Sequence, residues 1–211
     1  GGQKGKPMIK NIVFDMGNVL VDYDGDLVCR ALIPDEEMRK RIYTTVFVSP
    51  EWVKLDMGII SEEQGLKAMV NRLDTPEEKE AATRCFAQWH LYNMRPKKGM
   101  EELTRQLKEK GYGLYICSNA SVRLLECYRD VIPAIDCFDG VLFSAEVKCM
   151  KPQKEMYEHL YRRFRLDPGE CYFIDDLEEN IQGARDTGMD GYCFSDGNVE
   201  DLRKVLEQIK V

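Results

Sequence analysis

No apolar stretch in this 211-residue chain approaches the ~20 residues that a membrane-spanning helix needs. The N-terminal stretch also lacks the apolar core of a signal peptide. Gly1 to Pro7 is rich in glycine and lysine, looks partly like an expression scar, and is set aside from fold reasoning. Histidine is scarce. His90 and His159 are the only two, and both fall in helical patterns with no nucleophile–base arrangement near them in sequence. A Ser-His-Asp or Cys-His hydrolase is thereby disfavoured. The eight cysteines form neither a CxxC pair nor a zinc-like cluster. Cys117, Cys171 and Cys193 lie inside apolar runs, where a free thiol behaves as a small hydrophobe, so reduced core thiols in a cytoplasmic protein are expected. Long basic runs are absent and the formal net charge is −7, which argues against nucleic acid as a partner. Arg39-Lys40-Arg41 and Arg162-Arg163 read as solvated helix faces. No internal repeat or low-complexity segment is visible. Oligomeric state leaves no mark.

What the chain has instead is carboxylates at the points where buried strands should end. Ile12-Val13-Phe14 runs into Asp15, and Tyr172-Phe173-Ile174 runs into Asp175-Asp176. Short apolar runs of this kind suit strands buried on both faces of a parallel sheet. Leu114-Tyr115-Ile116-Cys117 ends in Ser118-Asn119, and Val141-Leu142-Phe143 is followed shortly by Lys151-Pro152. In open α/β sheets ligands bind beyond the carboxyl ends of the strands. An aspartate, a hydroxyl, a lysine and an acidic pair therefore converge on one rim, as a phosphoryl-transfer site with room for a divalent cation would require.

The order of elements predicts a doubly wound α/β core with a helical insertion. A strand over Ile9 to Phe14 gives way to a polar loop around Asp22 to Asp26, and from there to Met94 every periodic segment reads as helix. Ser61 with Gln64, and Thr75-Pro76-Glu77-Glu78, carry the signature of helix N-termini. Phe86, Trp89 and Tyr92 then recur at helical spacing, as cap core or as substrate contacts. After Pro96 strands and helices alternate. The expected division is a core of residues 8–22 and 96–211 and an all-helical cap of residues 23–95.

Asp15-Met16-Gly17-Asn18-Val19, Ser118, Lys151 and Asp175-Asp176 with Asn180 resemble, in that order, the four motifs of the haloacid dehalogenase (HAD) superfamily, which is mostly phosphatases. The likeness covers nearly the whole chain. Phe14 to Asp22 looks most like the bacterial sugar-1-phosphate phosphatases, and the phosphatase domain of bifunctional epoxide hydrolases is a more distant likeness. The resemblance implies a phosphomonoesterase acting on a small phosphorylated metabolite, a sugar phosphate within that subgroup, with Mg²⁺ as cofactor. Asp15 would be the nucleophile that forms an aspartyl-phosphate. Ser118, Lys151 and the backbone amides of Asn119 and Ala120 would hold the phosphoryl group. Asp15, Asp176 and the Gly17 carbonyl would ligate Mg²⁺. Asp175 would pair with Lys151 or hold a metal-bound water, and Asn180 would orient the acidic loop.

One position departs from the family pattern. A second aspartate, the general acid and base, normally stands two residues after the nucleophile, where this chain has Gly17. Asp22 or Asp24 could replace it if the loop folds back. Blander roles remain open for most of these residues. Ser118-Asn119 could cap the next helix, Lys151-Pro152 could be a plain turn, Asp175-Asp176 could cap the helix at Glu178, and Asp22 and Asp24 could simply solvate a loop. Two other functions stay open: a metal-free 2-haloacid dehalogenase, which the Asp175-Asp176 charge disfavours, and a non-catalytic HAD-fold protein that binds a phosphorylated ligand or protein.

Overall fold

The computed structural model describes residues 8–209. The expectation for Gly1 to Pro7 lies outside the described residues, as do the last two residues of the 96–211 segment. Five parallel strands form the central sheet: β1 (Asn11–Phe14), β4 (Gly113–Ser118), β5 (Gly140–Phe143), β6 (Cys171–Asp175) and β7 (Asp190–Cys193). Their spatial order is β5-β4-β1-β6-β7. The apolar runs are continuous because helices cover both faces. Successive side chains of a strand point to opposite sides, so Ile12 and Phe14 enter one core while Val13 enters the other. The first core packs under α6 (Met100–Glu109), α7 (Val122–Val131) and α11 (Val199–Glu207). The second packs under α9 (Lys154–Phe164) and α10 (Glu178–Asp186). Full burial of a side chain such as Phe14 is worth roughly 3 kcal/mol.

The chain leaves β1 for β4 on one side and returns through β6 on the other. The crevice beyond the end of β1 is thus a topological switch point, where α/β sheets hold their ligands. Between β1 and β4 lie α1 (Leu27–Leu32), α2 (Glu36–Phe47), α3 (Pro50–Asp56), α4 (Glu62–Val70) and α5 (Pro76–Tyr92). Ser61 and Gln64 form the full reciprocal capping box of α4. Thr75 caps α5 with Pro76 in its first turn, although Glu78 turns its carboxylate to Arg41 and the Thr75 hydroxyl.

The expected loop around Asp22 begins instead as a strand. β2 (Val21–Tyr23) pairs antiparallel with β3 (Met94–Pro96), Tyr23 opposite Met94. Three residues are too few to show alternation, and the partner is distant in sequence, so no local pattern marks either strand. The pair brings together the points where the chain enters and leaves its helical stretch. All eight cysteines are free thiols; Cys117 and Cys171 are buried as expected, whereas Cys193 is only half-buried.

A short helix, α8 (Ser144–Val147), follows β5 and meets α3. Gly58 makes that approach possible. Its φ is +66°, and a Cβ placed there would stand 2.3 Å from the Ala145 carbonyl oxygen. Gly58→Ala is expected to destabilise the protein by about 2–4 kcal/mol, from left-handed strain plus a backbone clash. A urea titration with an unshifted midpoint would show that this contact does not matter.

Candidate active site

Asp15 is the first residue past β1, and its amide donates to the Ile174 carbonyl of β6 at 2.8 Å. That bond extends the β1–β6 ladder by one step and fixes the side chain at the crevice. Asp15 Oδ1 accepts from the Met16 amide at 2.8 Å and lies 3.0 Å from Lys151 Nζ. The Met16 amide and Lys151 thus both engage Oδ1 rather than Oδ2. Asp15 is only 8% exposed. Burial pushes its carboxyl up to about 7, against the pull of Lys151 and with the added push of Asp175 and Asp176.

Lys151 is buried between two acids, 2.7 Å from Asp175 Oδ2 on its other side. Burial alone would push its ammonium down, but Asp15 and Asp175 outweigh that and hold it above the ordinary lysine value. Asp175 is wholly buried. It also accepts from the Leu177 amide at 3.0 Å and from Asn180 Nδ2 at 3.2 Å on each oxygen. Asn180 is held in turn by the Tyr157 hydroxyl, 2.6 Å from its carbonyl. Asp175 thus pairs with Lys151, and Asn180 donates to both of its oxygens. The cap residue of α10 is Leu177, so Asp175-Asp176 is not its N-cap. Gly183 lets α10 press against the Lys151-Pro152 turn, since a Cβ there would meet the Pro152 carbonyl at 2.8 Å.

Ser118 ends β4 and is buried beside these groups, with no hydrogen-bond partner for its hydroxyl among the described residues. Asn119 has a further part that the sequence did not suggest. Its side chain accepts from the Lys151 amide at 2.9 Å and donates to the Lys151 carbonyl at 3.1 Å. It braces the lysine, and only its backbone amide remains for a ligand. The Ala120 amide, expected to cradle phosphate, donates to Ser144 Oγ at 2.9 Å instead. Neither Ser118 nor Asn119 caps α7, whose N-cap position is Ser121. Cys117 lies one residue back on β4, and burial pushes its thiol up to about 12, which disqualifies it as a nucleophile.

Asp15, Asp175 and Asp176 offer ligand atoms within 4.8 Å of one another. Asp175 is spent on Lys151, Leu177 and Asn180, which leaves Asp15 and Asp176 for a cation. Burial raises the Asp176 carboxyl above the usual carboxylate range, with hydrogen bonding to Asp15 opposing. Gly17 belongs to a tight loop in which the Leu20 and Val21 amides donate to the Met16 carbonyl. No amide among the described residues takes the Gly17 carbonyl. Three carboxylates face one ammonium, an excess of negative charge that a divalent cation would neutralise. The residues present fit Mg²⁺, which binds through one or two carboxylates plus neutral oxygens.

These groups open into a cavity of about 270 Å³, whose walls also include Tyr23, Trp52, Asp56, Trp89, Met94 and Leu124. Trp52 and Trp89 meet edge to face with centroids 5.0 Å apart. Of the aromatic stripe on α5, Phe86 is buried, and Trp89 faces the cavity. Asp22 and Asp24 are not in this wall. Asp22 is exposed and pairs with Lys97 at 2.9 Å, and Asp24 accepts from the Asp26 amide at 2.9 Å. Sequence reasoning missed Asp56. Its one local sign is a carboxylate closing a helix at the end where the dipole disfavours negative charge.

A parallel sheet whose switch point carries a buried aspartate beside a Lys–Asp pair places this chain among the α/β proteins that bind ligands at the carboxyl ends of their strands. The chain belongs to the haloacid dehalogenase-like hydrolase family, whose model matches residues 9–188. It is 29% identical to a sesquiterpene phosphatase of Aspergillus oryzae, over 89% of this chain and 90% of that one. It is 27% identical to a D-ribitol-5-phosphate phosphatase of Bacteroides thetaiotaomicron, over 96% of this chain and 98% of that one. A HAD-family enzyme of the same bacterium, solved with magnesium and inorganic phosphate, shares the fold with a TM-score of 0.66 at 22% identity, over 87% and 93% of the two chains. Among the described residues no helix is long and apolar enough to cross a membrane.

Proposed function

We propose that the protein is a Mg²⁺-dependent phosphomonoester hydrolase that works through a phosphorylated Asp15. The observation that carries this is the buried row Asp15–Lys151–Asp175, with Asp176 and the unpartnered Ser118 hydroxyl opening into the same cavity. Asp15 Oδ2 attacks phosphorus as the ester oxygen departs, and water then attacks the phosphorus of the aspartyl-phosphate, returning Asp15 and releasing inorganic phosphate. Lys151 neutralises the incoming phosphoryl oxygens as a point charge, and Ser118 donates to one of them. Asn119 holds Lys151 in place and offers its amide. Asp15, Asp176 and the Gly17 carbonyl would hold the cation, which supplies charge neutralisation between carboxylate and phosphate.

Residues 23–95 act as a cap domain over a core of residues 8–22 and 96–211, contributing Trp52, Asp56 and Trp89 to the substrate wall. The substrate is a small phosphorylated metabolite, and a sugar or polyol phosphate is the first choice. Its support is the sequence likeness to the D-ribitol-5-phosphate phosphatase along nearly the whole of both chains. A second reading is favoured by Trp52, Trp89, Met94 and Leu124, whose apolar wall suits a phosphate on a hydrophobic skeleton. A panel of sugar phosphates and prenyl-type phosphates, run with and without Mg²⁺, separates the two.

Activity is expected to disappear in excess chelator and to return with Mg²⁺. Asp176→Asn is expected to raise the Mg²⁺ concentration for half-maximal activity by about 10–100-fold, the usual range for weakening a metal site. Undiminished turnover in chelator would instead favour metal-free dehalogenase chemistry, which release of halide from 2-chloropropionate would establish.

A further inference from the structure

The phosphatase reading leaves one chemical need unmet, a proton for the departing alkoxide. Gly17 has no side chain to give one. Asp22 faces a neighbouring cavity with Asn18 and Lys97, and Asp24 is turned to its own loop. Apart from Asp15 and Asp176, the acid in the wall of the catalytic cavity is Asp56. Among the described residues no hydrogen bond or ion pair engages its carboxylate, although every other acid at the site is engaged. Its backbone is fixed. The Ser144 hydroxyl donates to the Asp56 carbonyl and accepts from the Ala120 amide, two residues beyond Ser118. Asp56 is therefore tied to the same loop that presents the proposed phosphate ligand. Burial pushes its carboxyl up to about 7, so a substantial share carries a proton at neutral pH.

We propose that Asp56, reaching in from α3, is the catalytic acid and base of this site, taking the role for which Gly17 has no side chain. The assignment rests on the phosphatase reading. In the first step the Asp15 Oδ2–phosphorus bond forms and the phosphorus–ester oxygen bond breaks, while Asp56 gives its proton to that oxygen and the alcohol leaves. In the second step Asp56, now a carboxylate, takes a proton from the water that attacks phosphorus. The bond from phosphorus to Asp15 breaks, inorganic phosphate departs, and protonated Asp56 and ionised Asp15 are restored.

The test compares 4-nitrophenyl, phenyl and benzyl phosphate, whose leaving groups rise in pKa in that order. It reads single-turnover release of the phenol or alcohol with Mg²⁺ saturating, in the wild type, Asp56→Asn and Asp56→Ser. Benzyl phosphate cleavage is expected to fall by about 10²–10³-fold in both variants, the range of general acid catalysis. Cleavage of 4-nitrophenyl phosphate, whose leaving group departs as an anion, is expected to fall less than about 5-fold, with phenyl phosphate between. KM should stay within a few-fold throughout. Equal losses on all three esters, or no loss on benzyl phosphate, would overturn the role of Asp56 and leave the phosphatase reading standing. A wild type inactive on all three would overturn both.

Discussion

Asp15→Asn is expected to lower phosphatase turnover by on the order of 10⁴-fold or more, because no other group at the site can carry the phosphoryl intermediate. The fold should be indifferent to the change. Lys151 keeps Asp175 at 2.7 Å, and the amide matches the carboxylate in size. One of three crowded carboxylates is also gone, so the thermal midpoint should hold or rise, as often happens when a charged active site is relaxed. The paired measurement is turnover together with a circular-dichroism melt. A folded Asn variant that retained near wild-type turnover would end the proposed mechanism.

Lys151→Met should act on stability as well as activity. Among the described residues the lysine is the only cation paired with Asp15 and Asp175, and Asp175 is completely buried. Removing one partner of a buried ion pair strands the other and typically costs about 3–5 kcal/mol. The urea midpoint should fall accordingly, and turnover should fall below detection. Adding Asp175→Asn should return part of the lost stability, since the stranded charge is then absent, while activity stays lost. If the single variant unfolds at the wild-type midpoint, the buried pair is not what orders the crevice.

The parts of this architecture that local rules govern were legible in the sequence. Strand ends at Phe14 and Asp175, and that of β4 to within a residue at Cys117, could be placed because apolar runs stop where the chain must turn to solvent. Helix starts at Ser61 and Thr75 could be placed because a capping side chain and the backbone amide that donates to it lie three residues apart. The pairing of Asp175 with Lys151 was one of the two roles that the family resemblance implied for it. What stayed hidden depends on contacts between distant segments. Ser144 joins the Ala120 amide to the Asp56 carbonyl, which lies 88 residues from Ser144 itself, and no periodicity encodes that. Asn119 is an ordinary polar residue until the fold sets it against the Lys151 backbone. Asp56 sits in a helical stretch whose orientation over the sheet no spacing rule supplies. β2 and β3 are three residues each, recognisable only as partners.

That short ladder has an engineering consequence. Tyr23 and Met94 stand opposite each other, at the roughly 5 Å Cα separation of an antiparallel pair. A tight turn of two residues can close such a pair, so we propose that the excursion of residues 24–93 can be excised without moving the strand ends it connects. The same seam is a natural graft point: a foreign module whose termini lie side by side would inherit the rim carrying Asp15, Ser118 and Lys151 while bringing its own walls. Substrate choice in such chimaeras would be exchanged as a unit, independently of the sheet beneath.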